Sequence, residues 1–247
     1  MNLVWTHVRT GVVEFARMPQ YWVPSMAFPT IFFALFGITN AVEPVDGVGN
    51  EVLLANFLCF GLLTIMFFQF GVGIAEDRRQ PWEVTLRVLP ASGAVRFAGR
   101  VGVALVFSVA ALIPAIVLAA VTTELRLSAL EWPAFLAALL LGAVPFGLMG
   151  ITLGFAASPK AALPIANLGF LGLSFLGGLF VPLEGLPGFV ADLAPWLPSR
   201  HYLHLVYASV GAGDDLVTPA LYLVGWTVLF LALAVLVYRR DEGVRYR

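Results

Sequence analysis

Six stretches of this 247-residue chain, each at least 23 residues long, contain no Asp, Glu, Lys or Arg: residues 18–42, 52–75, 101–123, 132–159, 161–183 and 216–238. Roughly 20 apolar residues in a helix cross the hydrocarbon of a bilayer. A chain in lipid must also satisfy its own backbone hydrogen bonds, which leaves helices or a closed barrel. Runs this long and continuous select the helix. The chain therefore reads as an all-α membrane protein with six transmembrane helices, at about 21–40, 52–75, 98–121, 132–157, 161–180 and 220–238. Only 12% of residues are charged, against about 25% in soluble domains. About a hundred residues lie outside the charge-free stretches, scattered in short loops, so residues 1–247 form a single transmembrane domain with no globular catalytic unit.

Orientation follows from where the cations fall, because Lys and Arg concentrate in cytoplasmic loops. With the N-terminus in the cytoplasm, twelve of the fourteen Lys and Arg residues lie inside, and only Arg126 and Arg200 lie outside. Both termini are expected in the cytoplasm. The first 17 residues have no continuous apolar run, so the first span is not a cleavable signal. The lone Cys59 sits in the second apolar stretch and has no intrachain partner for a disulfide.

Between the spans, four segments have a pattern of their own. Trp5, Val8, Val12 and Phe15 recur at helical spacing opposite Arg9, Glu14 and Arg17, which predicts an amphipathic helix within residues 1–20 in the interface plane. Pro24 and Pro29 predict a kink in the first span. The longest inner connection, Glu76 to Arg100, contains Pro81 to Leu89, a helix of about two turns bounded by Pro81 and Pro90. After the fifth span, residues 181–212 carry prolines at 182, 187, 195 and 198 among apolar residues, too broken to span and too apolar for a solvated loop. Short helices that enter the membrane and return satisfy both conditions.

Chemical motifs are mostly conspicuous by absence. No G-x-x-x-x-G-K-[ST] cradles a phosphate and no H-E-x-x-H holds zinc, so no ATPase or metalloprotease site is expected, and no cofactor in this chain. His201 and His204 share a helix face at i, i+3, but no third metal ligand accompanies them. The span cores contain no ionisable residue of the kind that marks a proton or ion pathway. Their polar residues are uncharged. Asn56 and Gln69 of the second span and Asn167 of the fifth either join helices by hydrogen bonds or face a transport path. They stand among aromatics, of which Phe60 and Phe170 are the best placed to stack on an apolar or amphipathic ligand. Gly150 and Gly154 make a small-x-x-x-small pair that predicts a close helix contact, within the chain or between chains. In the inner connection, Glu76, Arg78, Arg79 and Arg87 surround Pro81, Trp82 and Leu86; this is either a topology signal or a docking knob with a charged rim.

The arrangement resembles the membrane subunit of type-2 ABC exporters, the permease family that includes bacterial drug, antibiotic-resistance, lipid-linked and polysaccharide export systems. The resemblance covers nearly the whole chain. It is carried by Leu176-Gly-Gly-Leu-Phe-Val-Pro182-Leu-Glu-Gly-Leu-Pro187, by Leu193-Ala-Pro195-Trp-Leu-Pro198 and Tyr202, and by Leu86-Arg-Val-Leu-Pro-Ala-Ser92 after the Glu76 to Arg79 cluster. Where that family usually shows Glu-Arg followed by Gly-Thr, this chain has Glu76-Asp-Arg-Arg-Gln-Pro-Trp82. The resemblance implies an export permease of the bacterial plasma membrane, and the absence of buried charge favours a lipophilic or amphipathic cargo, a drug or lipid, over a strongly anionic one. It implies ABC ATPase subunits as partners, with ATP and magnesium bound there, docked on a coupling helix at about 81–89. It also implies a second permease copy, as homodimer or related heterodimer, surrounded by membrane lipids, with no role for nucleic acid. Two other classes fit the composition: an ion-coupled secondary transporter or channel, and a non-transporting membrane scaffold or sensor.

Overall fold

The computed structural model describes residues 3–17, 19–38, 49–80, 93–180, 188–213 and 215–245, and every regular element among them is helical. Helix α1 is Leu3–Ala16 and α2 is Pro19–Phe32, which runs on through the π-helical turn Phe33–Gly37. Helix α3 spans Gly49–Asp77 and includes a second π-helical segment, Met66–Val72. Helix α4 is Gly93–Thr122, and α5 spans Glu131–Ala156. Helix α6 is Pro159–Leu176, α7 is Gly188–Leu193, α8 is Pro198–Ser209 and α9 is Val217–Arg245.

Five of these are long and apolar enough to cross a membrane: α3, residues Phe97–Thr122 of α4, α5, α6, and residues Val217–Asp241 of α9. The segment expected to form the first span is α2, whose apolar run Met26–Gly37 is shorter. The segments expected to form the coupling helix, 81–89, and the start of the irregular region, 181–187, lie outside the described residues.

Local chemistry sets the breaks. Helix α5 jogs at Ala143, between Glu131–Gly142 and Val144–Ala156. Pro145 has no amide to continue the hydrogen-bond ladder there. Helix α6 opens on Pro159 after an extended Ser158, where the missing amide is no loss. It closes at Gly178, whose φ of 81° is readily adopted only without a side chain, and the Leu179 amide returns to the Ser174 carbonyl at 3.0 Å.

Helix α3 is the centre of the bundle: 83% of its apolar window is buried, against 11% for α9. Leu54, Leu58, Leu62 and Leu63 are fully enclosed. Helices α2, α4, α5, α6 and α8 pack around them. Polar ties fix α3 antiparallel to α4 at both ends. Arg100 pairs with Asp77 at one end. At the other, Asn50 Nδ2 donates to the Glu124 carbonyl at 3.0 Å and the Arg126 amide donates to the Glu51 carboxylate. Glu51 and Asp77 are about 39 Å apart along the helix at 1.5 Å per residue. Both charges therefore clear a hydrocarbon core of about 30 Å.

Helix α1 runs in the same direction as α4 and lies along its first half. His7 abuts Gly99, Val8 abuts Gly102, Gly11 abuts Val103, and the Phe15 and Phe107 rings meet edge to face at 4.5 Å. Small residues at three of these four crossings let the two backbones approach closely.

Candidate functional site

Helix α3 also organises the residues singled out from the sequence. At its Asp77 end, the turn formed by the Arg79 amide to Glu76 and the Gln80 amide to Asp77 stops the helix and frees the side chains of Arg78 and Arg79. Arg79 is exposed and Glu76 half-buried. Arg78 reaches sideways instead. Its Nη1 donates to the carbonyls of Gly154 at 2.9 Å, Phe155 at 3.0 Å and Ala157 at 3.3 Å, while Nη2 pairs with Asp241 of α9. The last carbonyls of a helix have no partner within it and carry partial negative charge, so a guanidinium caps them twice over, by hydrogen bonds and by charge. The same guanidinium lies 5.8 Å from the Phe155 ring centroid, and that ring meets Tyr238 of α9 edge to face at 5.2 Å. Pro81, Trp82, Leu86 and Arg87 lie outside the described residues.

Farther along α3, Phe60 and Phe170 come together at 5.7 Å in one aromatic cluster. Phe32 joins Phe60 at 5.6 Å, Phe180 joins it at 4.8 Å, and Phe68 meets Phe170 at 5.5 Å. The polar residues divide. Asn56 accepts a hydrogen bond from the Tyr207 hydroxyl of α8, and Asn167 Nδ2 donates to the Leu163 carbonyl of its own helix at 3.0 Å. Gln69 lies in the π-helical segment with its Oε1 buried and unpartnered among the described residues. Phe67 beside Gly169 and Phe68 beside Phe170 put Gln69 and Asn167 at about the same level of the bundle.

The predicted contact of Gly150 and Gly154 is internal to the chain. A Cβ on Gly150 would strike the Met66 carbonyl, and one on Gly154 would come within 2.6 Å of the Phe70 carbonyl. Both carbonyls belong to the π-helical segment, where the wider turn alters the backbone hydrogen bonding and demands a flat neighbour.

At the opposite end from Asp77, α8 is built into the bundle. Tyr202, Leu203 and Val206 are fully buried. Pro198 opens the helix and Pro195 lies in the preceding 3-10 turn, Ala194–Trp196. The Pro195 carbonyl accepts from His201 Nε2 at 2.8 Å, which fixes the proton on that nitrogen, and the His201 ring stacks on Tyr222 at 3.9 Å. Burial holds the His201 and His204 imidazoles below the usual histidine range, and Arg200 pushes in the same direction. Burial also raises the Tyr202 and Tyr207 phenols. Among the described residues no three His, Cys, Asp or Glu side chains converge as a metal site. Pro182 and Pro187 lie outside the described residues.

Sequence patterns did not reveal Tyr207, Asp241 or Arg100, each of which completes a polar tie. The one available signal was their type: an ionisable or hydroxyl group at a helix end, waiting for a partner that only the fold supplies.

The sequence profile of the family described as ABC-2 type transporter matches residues 2–210. The chain is also 24% identical over 245 residues, 99% of its length and 100% of the other's, to a protein of Bacillus subtilis (strain 168) named "Putative transport permease YvfS".

Proposed function

This chain belongs to the ABC-2 type transporter family, and we propose on that premise that it is the permease subunit of an ATP-driven exporter. The observation that carries the reading is the family match, which covers residues 2–210, from α1 to the end of α8. As a multi-pass membrane protein of this family it is a transport subunit rather than an ATPase, and the motor is a separate ABC ATPase.

In this reading α2 completes a set of six spans, α1 packs along the inner half of α4 rather than lying flat in the interface plane, and α7 and α8 form the outer re-entrant segment. The termini and the Asp77 end face the cytoplasm. The stretch Glu76 to Arg87 then meets the ATPase, with Arg79 and Arg87 as the charged rim of a contact centred on Trp82 and Leu86. Two permease copies enclose the path, and nucleotide binding in the ATPase shifts the equilibrium between inward and outward access.

The cargo is lipophilic or amphipathic. The support is the character of the α3 to α6 contact, where Phe60 and Phe170 lie in an aromatic cluster and Gln69 supplies an uncharged acceptor. Such a surface rewards flat apolar groups and penalises an unpaired anion. Inside-out vesicles containing the permease and its ATPase test this. An amphipathic fluorescent dye, rhodamine 6G, should accumulate only with Mg-ATP, and Phe60→Ala with Phe170→Ala should reduce uptake about tenfold while ATP hydrolysis persists. Equal uptake without ATP removes the exporter reading.

A further inference from the structure

Two consecutive residues at the end of α3 tie it to three other helices. Asp77 pairs with Arg100, on the helix that follows the inner connection, so the two flanks of that connection are joined at its neck. Arg78 turns the other way, to the closing carbonyls of α5 and to Asp241 of α9. The Arg78 and Asp241 side chains are 20% and 11% exposed. A pair this sheltered is screened far less than a surface one. The planar fork of a guanidinium can address a carboxylate and a set of carbonyls together, which a lysine ammonium cannot do.

The site where the clasp grips is also packed tightly. Gly154, whose carbonyl receives Arg78, is also a residue on which a Cβ would come within 2.6 Å of the Phe70 carbonyl of the π-helical segment. Helix α9 has little else to hold it to α3: it is the least buried of the spans and packs on α5 and α8. Motion at the Asp77 end can thus reach α9 by a direct polar link.

We infer that Arg78 is a positioning residue rather than a docking residue: through Asp241 it makes α9 move with the ends of α3 and α5. The inference rests on the ATP-driven reading above. It assigns Arg78 an inward role, and it leaves contact with the ATPase to the exposed Arg79 and its neighbours.

Hydrogen exchange on the intact complex of permease and ATPase, with and without Mg-ATP and vanadate, provides the test. In the wild type, nucleotide should change amide exchange both in residues 73–80 and in residues 236–245. In Asp241→Asn, where Arg78 retains its three carbonyl bonds, the change in 73–80 should persist and that in 236–245 should fall at least about fivefold, the lower range of coupling between sites. Asp241→Glu should restore it.

If nucleotide changes neither segment of the wild type, the ATP-driven reading fails and the positioning role falls with it. If the wild type responds at 73–80 alone, or if Asp241→Asn responds as fully as the wild type at 236–245, the positioning role is overturned. Should Asp241→Asn fail to assemble, Arg78→Lys replaces it, since it keeps the charge but cannot bridge carbonyls and carboxylate together. A full response at 236–245 in Arg78→Lys, or its failure to assemble, would make the clasp a folding element only.

Discussion

The Tyr202 hydroxyl donates to the Leu139 carbonyl at 2.7 Å, across 63 residues of sequence, and its ring fills the space that Gly142 leaves on α5. This contact seats α8 in the bundle. Tyr202→Phe removes a buried hydrogen bond and should lower stability by about 1 kcal/mol. Gly142→Ala would bring a Cβ within 2.5 Å of the Tyr202 Cδ2, and overpacking of this kind costs about 1–3 kcal/mol. Thermal unfolding in a fixed detergent should rank wild type above Tyr202→Phe and both above Gly142→Ala.

Gly154 of α5, which faces the π-helical segment, and Gly172 of α6, which faces open space, give a sharper contrast. Gly154→Ala meets the Phe70 carbonyl at 2.6 Å and Ile74 Cβ at 2.7 Å, with the Gly71 carbonyl at 3.0 Å. Backbone atoms cannot step aside as a side-chain end can, so α5 must move away from α3. Gly172→Ala meets nothing within 4 Å, and should be neutral or raise stability by up to about 1 kcal/mol through helix propensity. Melting temperatures of the two variants should move in opposite directions or, at the least, differ clearly in that order.

Two groups outside the spans set opposite pH windows. His201 and His204 have folded values below their unfolded 6.5, first because of burial. Below that pH the unfolded chain binds more protons than the folded one, so stability falls as pH drops from about 6.5 through the folded values. Asp215 is held below its ordinary 3.8, first by the Thr218 hydroxyl and then by the amides of Val217 and Thr218, which it caps at the start of α9. Its contribution is present above about pH 4 and disappears as pH falls through its folded value. Melting temperature measured from pH 7.5 to pH 5 should therefore decline, and His204→Gln should flatten that decline.

How far the sequence exposed this architecture depends on the range of the forces involved. The charge-free runs were legible because the bilayer imposes one length on every span, and α3, α4, α5, α6 and α9 lie where the runs are. The closeness demanded by Gly150 and Gly154 was legible too, but not its partner, because a π-helical turn in α3 has no composition of its own. Glu51 stands just before the second charge-free run with nothing in the sequence to mark a partner, yet it is 2% exposed and holds the Arg126 amide. Asn56 gave two readings, and its acceptor is occupied by Tyr207, 151 residues away. Arg78 read as one of several inner cations. Only the convergence of α3, α5 and α9 shows that it turns inward while Arg79 does not. Contacts of this separation leave no periodic trace in a single chain.

The two polar residues of α3, Asn56 and Gln69, should separate by substitution. Asn56→Ala leaves the half-buried Tyr207 hydroxyl without its acceptor, and should lower stability by about 1 kcal/mol. Gln69→Leu removes an acceptor that has no partner among the described residues, so it should leave melting unchanged or raise it while altering dye transport. A loss of stability in Gln69→Leu equal to that in Asn56→Ala would mean that Gln69 joins helices and does not face cargo.

The most direct measurement isolates the chain from its own membranes in mild detergent and asks what hydrolyses ATP in the preparation. A P-loop ATPase should copurify, Mg-ATP hydrolysis should depend on the permease being present, and Trp82→Ala with Arg87→Ala should abolish both the association and the stimulation. Full transport by the chain with no companion protein, or an undiminished ATPase complex in the double variant, would contradict a permease driven from its cytoplasmic face.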